Sequence, residues 1–177
     1  MVDLTTSTVR FETNDIECDG YLARPDDEVH RPGLIVIQEW WGLNDHIKDV
    51  VRRFAAQGYV ALAPDLYRGK ITVEPDEASA LMMDLNKEQA LGDVLGAVGY
   101  LKGITTGLVG VIGYCMGGML TLMAACHSRD VSACSPYYGA NPSPMNQLAG
   151  VTAPILAFYG ENDPMVPPSV AEALRTT

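Results

Sequence analysis

The chain of 177 residues has the length of a single domain, and its hydrophobic content of 47% is ordinary for a globular protein. Its formal net charge of −10 at pH 7 argues against nucleic acids and anionic membranes as partners. The first residues lack the pattern of a signal peptide, and no apolar run approaches the roughly 20 residues that span a bilayer. The four cysteines show neither C-x-x-C pairing nor metal-ligand spacing, so we expect a cytoplasmic protein with reduced thiols.

Hydrophobic periodicity predicts strands that alternate with helices. Two alternating segments, 9–13 and 18–24, are joined by Asn14-Asp15 and are typical of an antiparallel hairpin. Further strands are predicted at 34–38, 59–63, 109–112, 131–138 and 154–159, and helices at 44–57, 77–85 and 87–102, after Cys115 and from 167. This alternation predicts one α/β domain over residues 1–177, with a mainly parallel sheet and with functional side chains at the carboxyl ends of the strands.

The stretch 108–125 combines a buried strand, a tight turn and the start of a helix. Its turn, Gly113-Tyr114-Cys115-Met116-Gly117, has the spacing of a nucleophile elbow, in which the residues two before and two after the nucleophile must be small. The thiol would lie at a helix N-terminus, which favours a thiolate, and the N–H that follows it could bind an oxyanion. The same five residues are equally compatible with a buried cysteine in a glycine-rich turn.

Glu39, Arg68 and Asp163 each come shortly after the end of a predicted strand. We therefore expect these side chains at the same edge of the sheet as Cys115. A carboxylate within hydrogen-bond reach of a thiol can act as its base. Each residue also has a purely structural interpretation: a solvated carboxylate for Glu39, a surface cation for Arg68 and a turn-forming residue for Asp163.

Four segments together resemble the dienelactone hydrolase (carboxymethylenebutenolidase) family of α/β-hydrolases, whose nucleophile is a cysteine. The segments are 38–44, 64–69, 113–118 and 159–163. The resemblance covers nearly the whole chain, with the same order and intervals. It implies an α/β-hydrolase three-layer sandwich, with a mainly parallel sheet flanked by helices. It also implies an enzyme of aromatic catabolism that opens a lactone, or cleaves a related carboxylic ester, through a thioester acyl-enzyme.

The resemblance assigns the reacting groups. It implies that Cys115 attacks the carbonyl carbon, that Glu39 holds the resting thiol and takes part in its deprotonation, and that Asp163 orients a histidine. Thiolate attack needs neither a metal nor an organic cofactor, and the sequence signals none. Tyr137 and Tyr138 point to opposite faces of their predicted strand, so at most one lines the pocket, and neither is assigned a role.

The resemblance also assigns the groups that bind a small-molecule lactone or ester. The backbone N–H groups of Trp40 and Met116 are implied to form the oxyanion hole. Arg68 is implied to bind a substrate carboxylate, and Trp41 to form a wall of the pocket. Both tryptophans are also expected to contribute to packing.

The sequence departs from the family in its histidines, because none follows Asp163, where the order nucleophile, acid, histidine requires one. His30 precedes a strand and His127 ends a helix, so both are expected at the opposite edge of the sheet. His46 is at the correct edge but lies beside the buried stripe of its helix, and we expect it to face solvent.

The last predicted strand, 154–159, is apolar and has no predicted neighbour on its outer side. We expect an exposed edge that offers a route to self-association. The last strand and helix of the family fold are also missing, which predicts a C-terminally incomplete domain from a longer gene product. A native stop codon after Thr177 would contradict that expectation.

A second class of function is compatible with the same residues. A reactive thiol at a helix N-terminus also combines with oxidants and electrophiles, and a fold does not fix a function. The alternative is therefore a non-catalytic thiol-reactive or ligand-binding protein, inactive because the triad histidine is absent.

Overall fold

A computed structural model describes residues 2–13, 16–139 and 145–176, except for the side chains of 145–147. The strands are β1 (Leu4–Thr13), β2 (Ile16–Pro25), β3 (Gly33–Ile37), β4 (Val60–Pro64), β5 (Val109–Tyr114) and β6 (Val131–Tyr137). The helices are α1 (Asp45–Ala56), α2 (Pro75–Asp84), α3 (Lys87–Ile104), α4 (Met116–His127) and α5 (Pro168–Arg175), with a 3₁₀ turn at Met145–Gly150. The Asn14-Asp15 connection lies outside the described residues.

The six strands form one sheet in the order β1-β2-β4-β3-β5-β6. β1 pairs antiparallel with β2, and β2 pairs antiparallel with β4, which confirms the predicted hairpin. From β4 through β3 and β5 to β6 all pairs are parallel. The carboxyl ends of β3, β4, β5 and β6 therefore share one edge of the sheet, as the sequence predicts.

Helices cover both faces of the sheet, which confirms the three-layer α/β sandwich. α1 packs on β2, β3 and β4, whereas α3 and α4 lie together on the other face. α1 begins after Asn44, whose side chain accepts a hydrogen bond from the Ile47 N–H at 3.1 Å, and it buries Ile47, Val50 and Val51. Within the described residues, no helix has both the length and the apolar character needed to cross a membrane.

The predicted strand at 154–159 is wrong in one respect: it forms two isolated parallel bridges with β6 instead of a continuous ladder. Four backbone hydrogen bonds of 2.7–3.0 Å join the two segments. The ladder is interrupted at Pro136, which has no N–H to donate. The Ser135 hydroxyl donates to the Leu156 carbonyl at 2.9 Å and replaces the missing bond.

A buried carboxylate ties β1, α3 and the loop after β4 together. Asp93 on α3 is 1% exposed and accepts hydrogen bonds from Thr13 Oγ1 at 2.7 Å and Gln89 Nε2 at 2.9 Å. The Arg68 guanidinium also binds both oxygens of the Asp93 carboxylate, each at a nitrogen–oxygen distance of 2.9 Å. A buried charge satisfied in this way contributes to folding because removing one partner leaves the others without their hydrogen bonds.

We expect Asp93→Ala to lower the free energy of unfolding by about 3 kcal/mol, since breaking a buried ion pair costs about 3–5 kcal/mol and Arg68 can partly regain water. Urea denaturation followed by circular dichroism measures the change. Asp45→Ala, at a fully exposed position on α1, is the control and should leave the midpoint unchanged. Equal midpoints for the Asp93 variant and the unmodified chain would contradict this account.

The exposed 154–159 edge generates a second prediction. Ile155, Leu156 and Phe158 are 42–64% exposed, and the surrounding segment 151–160 carries no charge that would oppose strand pairing. We expect concentration-dependent self-association in sedimentation velocity, reduced by Leu156→Lys. Val29→Lys, which adds the same charge at a similarly exposed apolar residue away from this edge, should not reduce it. A chain that is monomeric at every concentration would show that the edge does not associate.

Candidate active site

The sharp turn between β5 and α4 has the geometry of a nucleophile elbow. Cys115 has φ 55° and ψ −115°, a backbone conformation that is strained for a residue with a side chain. A Cβ at Gly113 would collide with the Gly117 carbonyl, and a Cβ at Gly117 would lie 2.6 Å from the Gln38 carbonyl oxygen. Both positions thus require glycine, as predicted from the spacing. The Cys115 N–H donates to the Tyr137 carbonyl at 3.0 Å, which fixes the turn to β6.

Three opposing influences act on the half-buried Cys115 thiol. Burial is the largest and raises its pKa; the Met116 N–H, which donates to the sulfur, lowers it; and the Glu39 and Asp163 carboxylates raise it again. The net result is a raised pKa. The N–H at the helix N-terminus favours the thiolate, as expected, but burial and the two negative charges outweigh it in the resting protein.

The Glu39 carboxylate lies between the elbow and the end of β6. Its Oε1 accepts a hydrogen bond from the Tyr138 hydroxyl at 2.8 Å. Its charge raises the pKa of Cys115, Tyr138 and Tyr114, so Glu39 is close to all three groups. The structure thus brings the predicted base and the predicted nucleophile together.

Asp163 lies in the loop after the 154–158 bridges, half-buried and close enough to Cys115 to raise its pKa. Its Oδ1 accepts hydrogen bonds from the Met165 N–H at 2.8 Å and the Val166 N–H at 3.1 Å. These bonds are the turn chemistry that the sequence also allowed, and they fix one oxygen of the carboxylate. Among the described residues, no hydrogen bond joins Asp163 to an imidazole.

The three histidines lie as predicted, away from the buried part of the site. His30, His46 and His127 are all exposed, and the His127 ring nitrogen Nδ1 contacts the Met123 carbonyl at 2.8 Å. His46 is in the first turn of α1 and faces solvent.

The predicted oxyanion-hole residues, Trp40 and Met116, flank the contact between α4 and the end of β3. Gly117 allows this approach, since its Cα packs against the carbonyls of Ile37 and Gln38, directly before Glu39 and Trp40. The Met116 N–H is at the first position of α4 and contacts the Cys115 sulfur. The roles of the Trp40 and Met116 N–H groups as oxyanion donors remain predictions.

Trp41 is fixed by its neighbours on both sides. Its ring packs edge-on against Trp40, with centroids 5.0 Å apart, and its carbonyl accepts from the Thr72 N–H at 3.1 Å. Both tryptophan side chains remain partly exposed. Packing is therefore observed, and the predicted pocket-wall role of Trp41 stays a prediction.

Arg68 is at the correct edge of the sheet, but its guanidinium is engaged elsewhere. Besides the Asp93 carboxylate, it contacts the Cys18 sulfur at 3.1 Å and the Asp65 carbonyl at 3.0 Å. The side chain is 40% exposed, so part of it faces solvent. Binding of a substrate carboxylate would require the guanidinium to be shared with Asp93, and this role stays a prediction.

Two tyrosines near the thiol were not identified from the sequence. Tyr138 directly follows β6 much as Glu39 follows β3, and this position at the end of a strand is the signal in the sequence that indicates a place in the site. Tyr67 is buried, its hydroxyl contacts Met116 Sδ at 3.5 Å, and burial together with Cys115 raises its pKa to about 12. Within the part of the chain that the structure describes, no group of three or more His, Cys, Asp or Glu side chains is arranged to hold a metal ion.

Comparison with known proteins places this chain in a family. Protein usf of Aquifex pyrophilus is 37% identical over 168 residues, which cover 89% of this chain and 72% of that protein. A protein of Methylorubrum extorquens, provisionally named carboxymethylenebutenolidase, is 30% identical over 189 residues, covering 97% of this chain and 65% of its own length. The chain thus spans about two thirds to three quarters of these two relatives.

A solved structure from Klebsiella pneumoniae, described provisionally as a dienelactone hydrolase, superposes with a TM-score of 0.88 at 26% identity. The match covers 98% of this chain and 80% of that one, and it confirms the α/β-hydrolase fold. The model of the dienelactone hydrolase family matches residues 18–177, which include the elbow and every predicted site residue. The chain therefore belongs to the dienelactone hydrolase family, as its four motifs predict.

Proposed function

We propose that the protein hydrolyses a lactone or an activated carboxylic ester, with Cys115 as the nucleophile and a thioester acyl-enzyme as the intermediate. The observation that carries this proposal is the strained Cys115 backbone at the start of α4, with the Glu39 carboxylate acting on its thiol. Strain of this kind persists where the surrounding structure fixes it, and it is concentrated at functional sites. Membership of a hydrolase family supports the reaction class.

Acylation needs a base because the raised pKa keeps the resting Cys115 thiol protonated. In the proposed step, Glu39 accepts the thiol proton while the sulfur forms a bond to the carbonyl carbon. The N–H groups of Trp40 and Met116 bind the negative charge on the carbonyl oxygen. The carbon–oxygen bond of the lactone or ester then breaks, and the departing alkoxide takes the proton from Glu39.

Deacylation returns the enzyme to its starting state. Glu39, again a carboxylate, accepts a proton from the attacking water, the new bond forms at the thioester carbon, and the carbon–sulfur bond breaks. The thiolate recovers the proton, and a carboxylic acid leaves. Asp163 keeps its proposed role as the triad acid, since the oxygen not fixed by Met165 and Val166 can orient an imidazole.

The proposed substrate carries a carboxylate, with Arg68 as its partner and Trp41 beside it. The partial exposure of the Arg68 side chain supports this assignment, whereas its ion pair with Asp93 opposes it. A substrate without a carboxylate would leave that ion pair undisturbed.

A thiol-reactive protein without turnover is the second candidate, favoured by the absence of an imidazole bonded to Asp163 among the described residues. In that case Cys115 reacts with electrophiles, but no acyl group is transferred to water. The two candidates differ in whether an acyl adduct on Cys115 forms and then disappears.

We expect Cys115→Ser to lower ester turnover at least about 10³-fold, because the hydroxyl is a far weaker nucleophile at neutral pH. Intact-mass analysis during turnover of a p-nitrophenyl ester should detect one acyl group, located on Cys115. Cys126→Ser, at a half-buried thiol on α4, is the matched control and should keep full turnover. Equal rates for the Cys115 variant and the unmodified chain would exclude the proposed nucleophile.

Glu39→Gln should have opposite effects on two reactions. Removing the negative charge lowers the raised pKa of Cys115, so the thiolate fraction at pH 7 and the rate of iodoacetamide alkylation rise about threefold to tenfold. Ester turnover falls about 10²-fold, because the base is lost. Peptide mapping separates the label on Cys115 from any label on the half-buried Cys126, while burial raises the pKa of Cys18 and Cys134 to about 12.

Glu28→Gln, an exposed carboxylate before β3 at the opposite edge of the sheet, is the control and should change neither rate. A Glu39→Gln variant that alkylates more slowly, or that turns over ester at the original rate, would contradict the assigned role.

A further inference from the structure

Tyr138 has a backbone conformation that a tyrosine rarely adopts. It directly follows β6 with φ 40°, in the left-handed region that favours glycine. Its N–H donates to the Phe158 carbonyl at 2.7 Å, which holds this residue at the end of the sheet. Such a conformation costs free energy of order 1–3 kcal/mol and persists where neighbouring contacts determine it.

Gly139, the next residue, is packed closely enough to restrict the backbone of Tyr138. Gly139 packs against the backbone of Gly118 in the first turn of α4, and a Cβ at either glycine would collide with the other. The Tyr159 hydroxyl also donates to the Gly139 carbonyl at 3.2 Å. The backbone that carries Tyr138 is therefore fixed to the same helix turn that carries the nucleophile.

The phenol reaches across the site to a residue 99 positions earlier in the chain, where it donates to Glu39 Oε1 at 2.8 Å. Burial and the Glu39 charge raise the pKa of Tyr138, so the phenol remains a donor throughout the neutral range. A hydrogen bond to an ionised group is about twice as strong as one between neutral groups. The phenol thus holds one of the two carboxylate oxygens of Glu39 in place.

We propose that Tyr138 is the positioning residue for Glu39: its phenol fixes Oε1 and so holds the carboxylate adjacent to the Cys115 thiol. The catalytic consequence of this contact rests on the proposed function. Tyr138 itself makes no bond to the reacting carbon in this proposal and acts through Glu39. A residue that served only in packing would show no energetic coupling to Glu39.

A double-mutant cycle tests the coupling. Tyr138→Phe retains the ring and should lower kcat/KM about tenfold to a hundredfold, the effect of one hydrogen bond to a charged group. In the Glu39→Gln background the same substitution should change kcat/KM less than about twofold. Tyr59→Phe is the control, because this ring packs edge-on against Phe54 before β4, at the opposite edge of the sheet, and its loss of a hydroxyl should leave the rate unchanged. If Tyr138→Phe lowers kcat/KM by the same factor with glutamate and with glutamine at position 39, the proposal is overturned.

Alkylation of Cys115 separates this proposal from the proposed function, because it needs no ester substrate. Tyr138→Phe should change the iodoacetamide rate in the original background and leave it unchanged when residue 39 is glutamine. Coupling in alkylation without ester turnover would preserve the positioning role and reject the hydrolase. Ester turnover without coupling in either reaction would support the hydrolase and reject the positioning role.

Discussion

The close approach of α4 to the end of β3 is the contact on which the candidate site depends. The backbone at Gly117 lies against the carbonyls of Ile37 and Gln38, at a distance that leaves no room for a side chain. This contact places the first N–H of α4 beside the turn that carries Glu39. The candidate nucleophile, the Met116 N–H and the Glu39 carboxylate then lie in one small region, although Glu39 is distant from the other two in the sequence. Backbone packing, more than any side-chain interaction, creates the site.

The electrostatics of the site favour a protonated thiol at rest. A helix N-terminus contributes partial positive charge, but its effect is confined to the first turn and amounts to less than the burial of a sulfur beside two carboxylates. The same carboxylates that oppose ionisation can accept a proton when a substrate arrives. A protonated thiol of this kind reacts more slowly with oxidants and electrophiles than a permanent thiolate does. Reactivity would then depend on the substrate.

Most of the fold, and part of the site, follow from the sequence for identifiable reasons. The period of α1 and the Asn44 cap define a helix locally, and the elbow glycines reflect a steric limit that needs only five residues. The Arg68–Asp93 ion pair could not be predicted, because it depends on the rotation of α3 relative to a loop 25 positions earlier. The direction of the Tyr138 side chain could not be predicted for another reason. Its φ is positive, so its side chain does not follow the alternation expected along β6.

The hydroxyl that replaces a backbone donor at Ser135 has a mechanical consequence. An amide N–H is rigidly attached to its chain, whereas a serine hydroxyl can rotate away from the Leu156 carbonyl at small cost. The rung at Pro136 is therefore held by a rotatable hydroxyl, whereas its neighbours are held by backbone N–H groups. We expect the segment that leads to Asp163 to shift first at this rung, while backbone contacts hold the elbow in place.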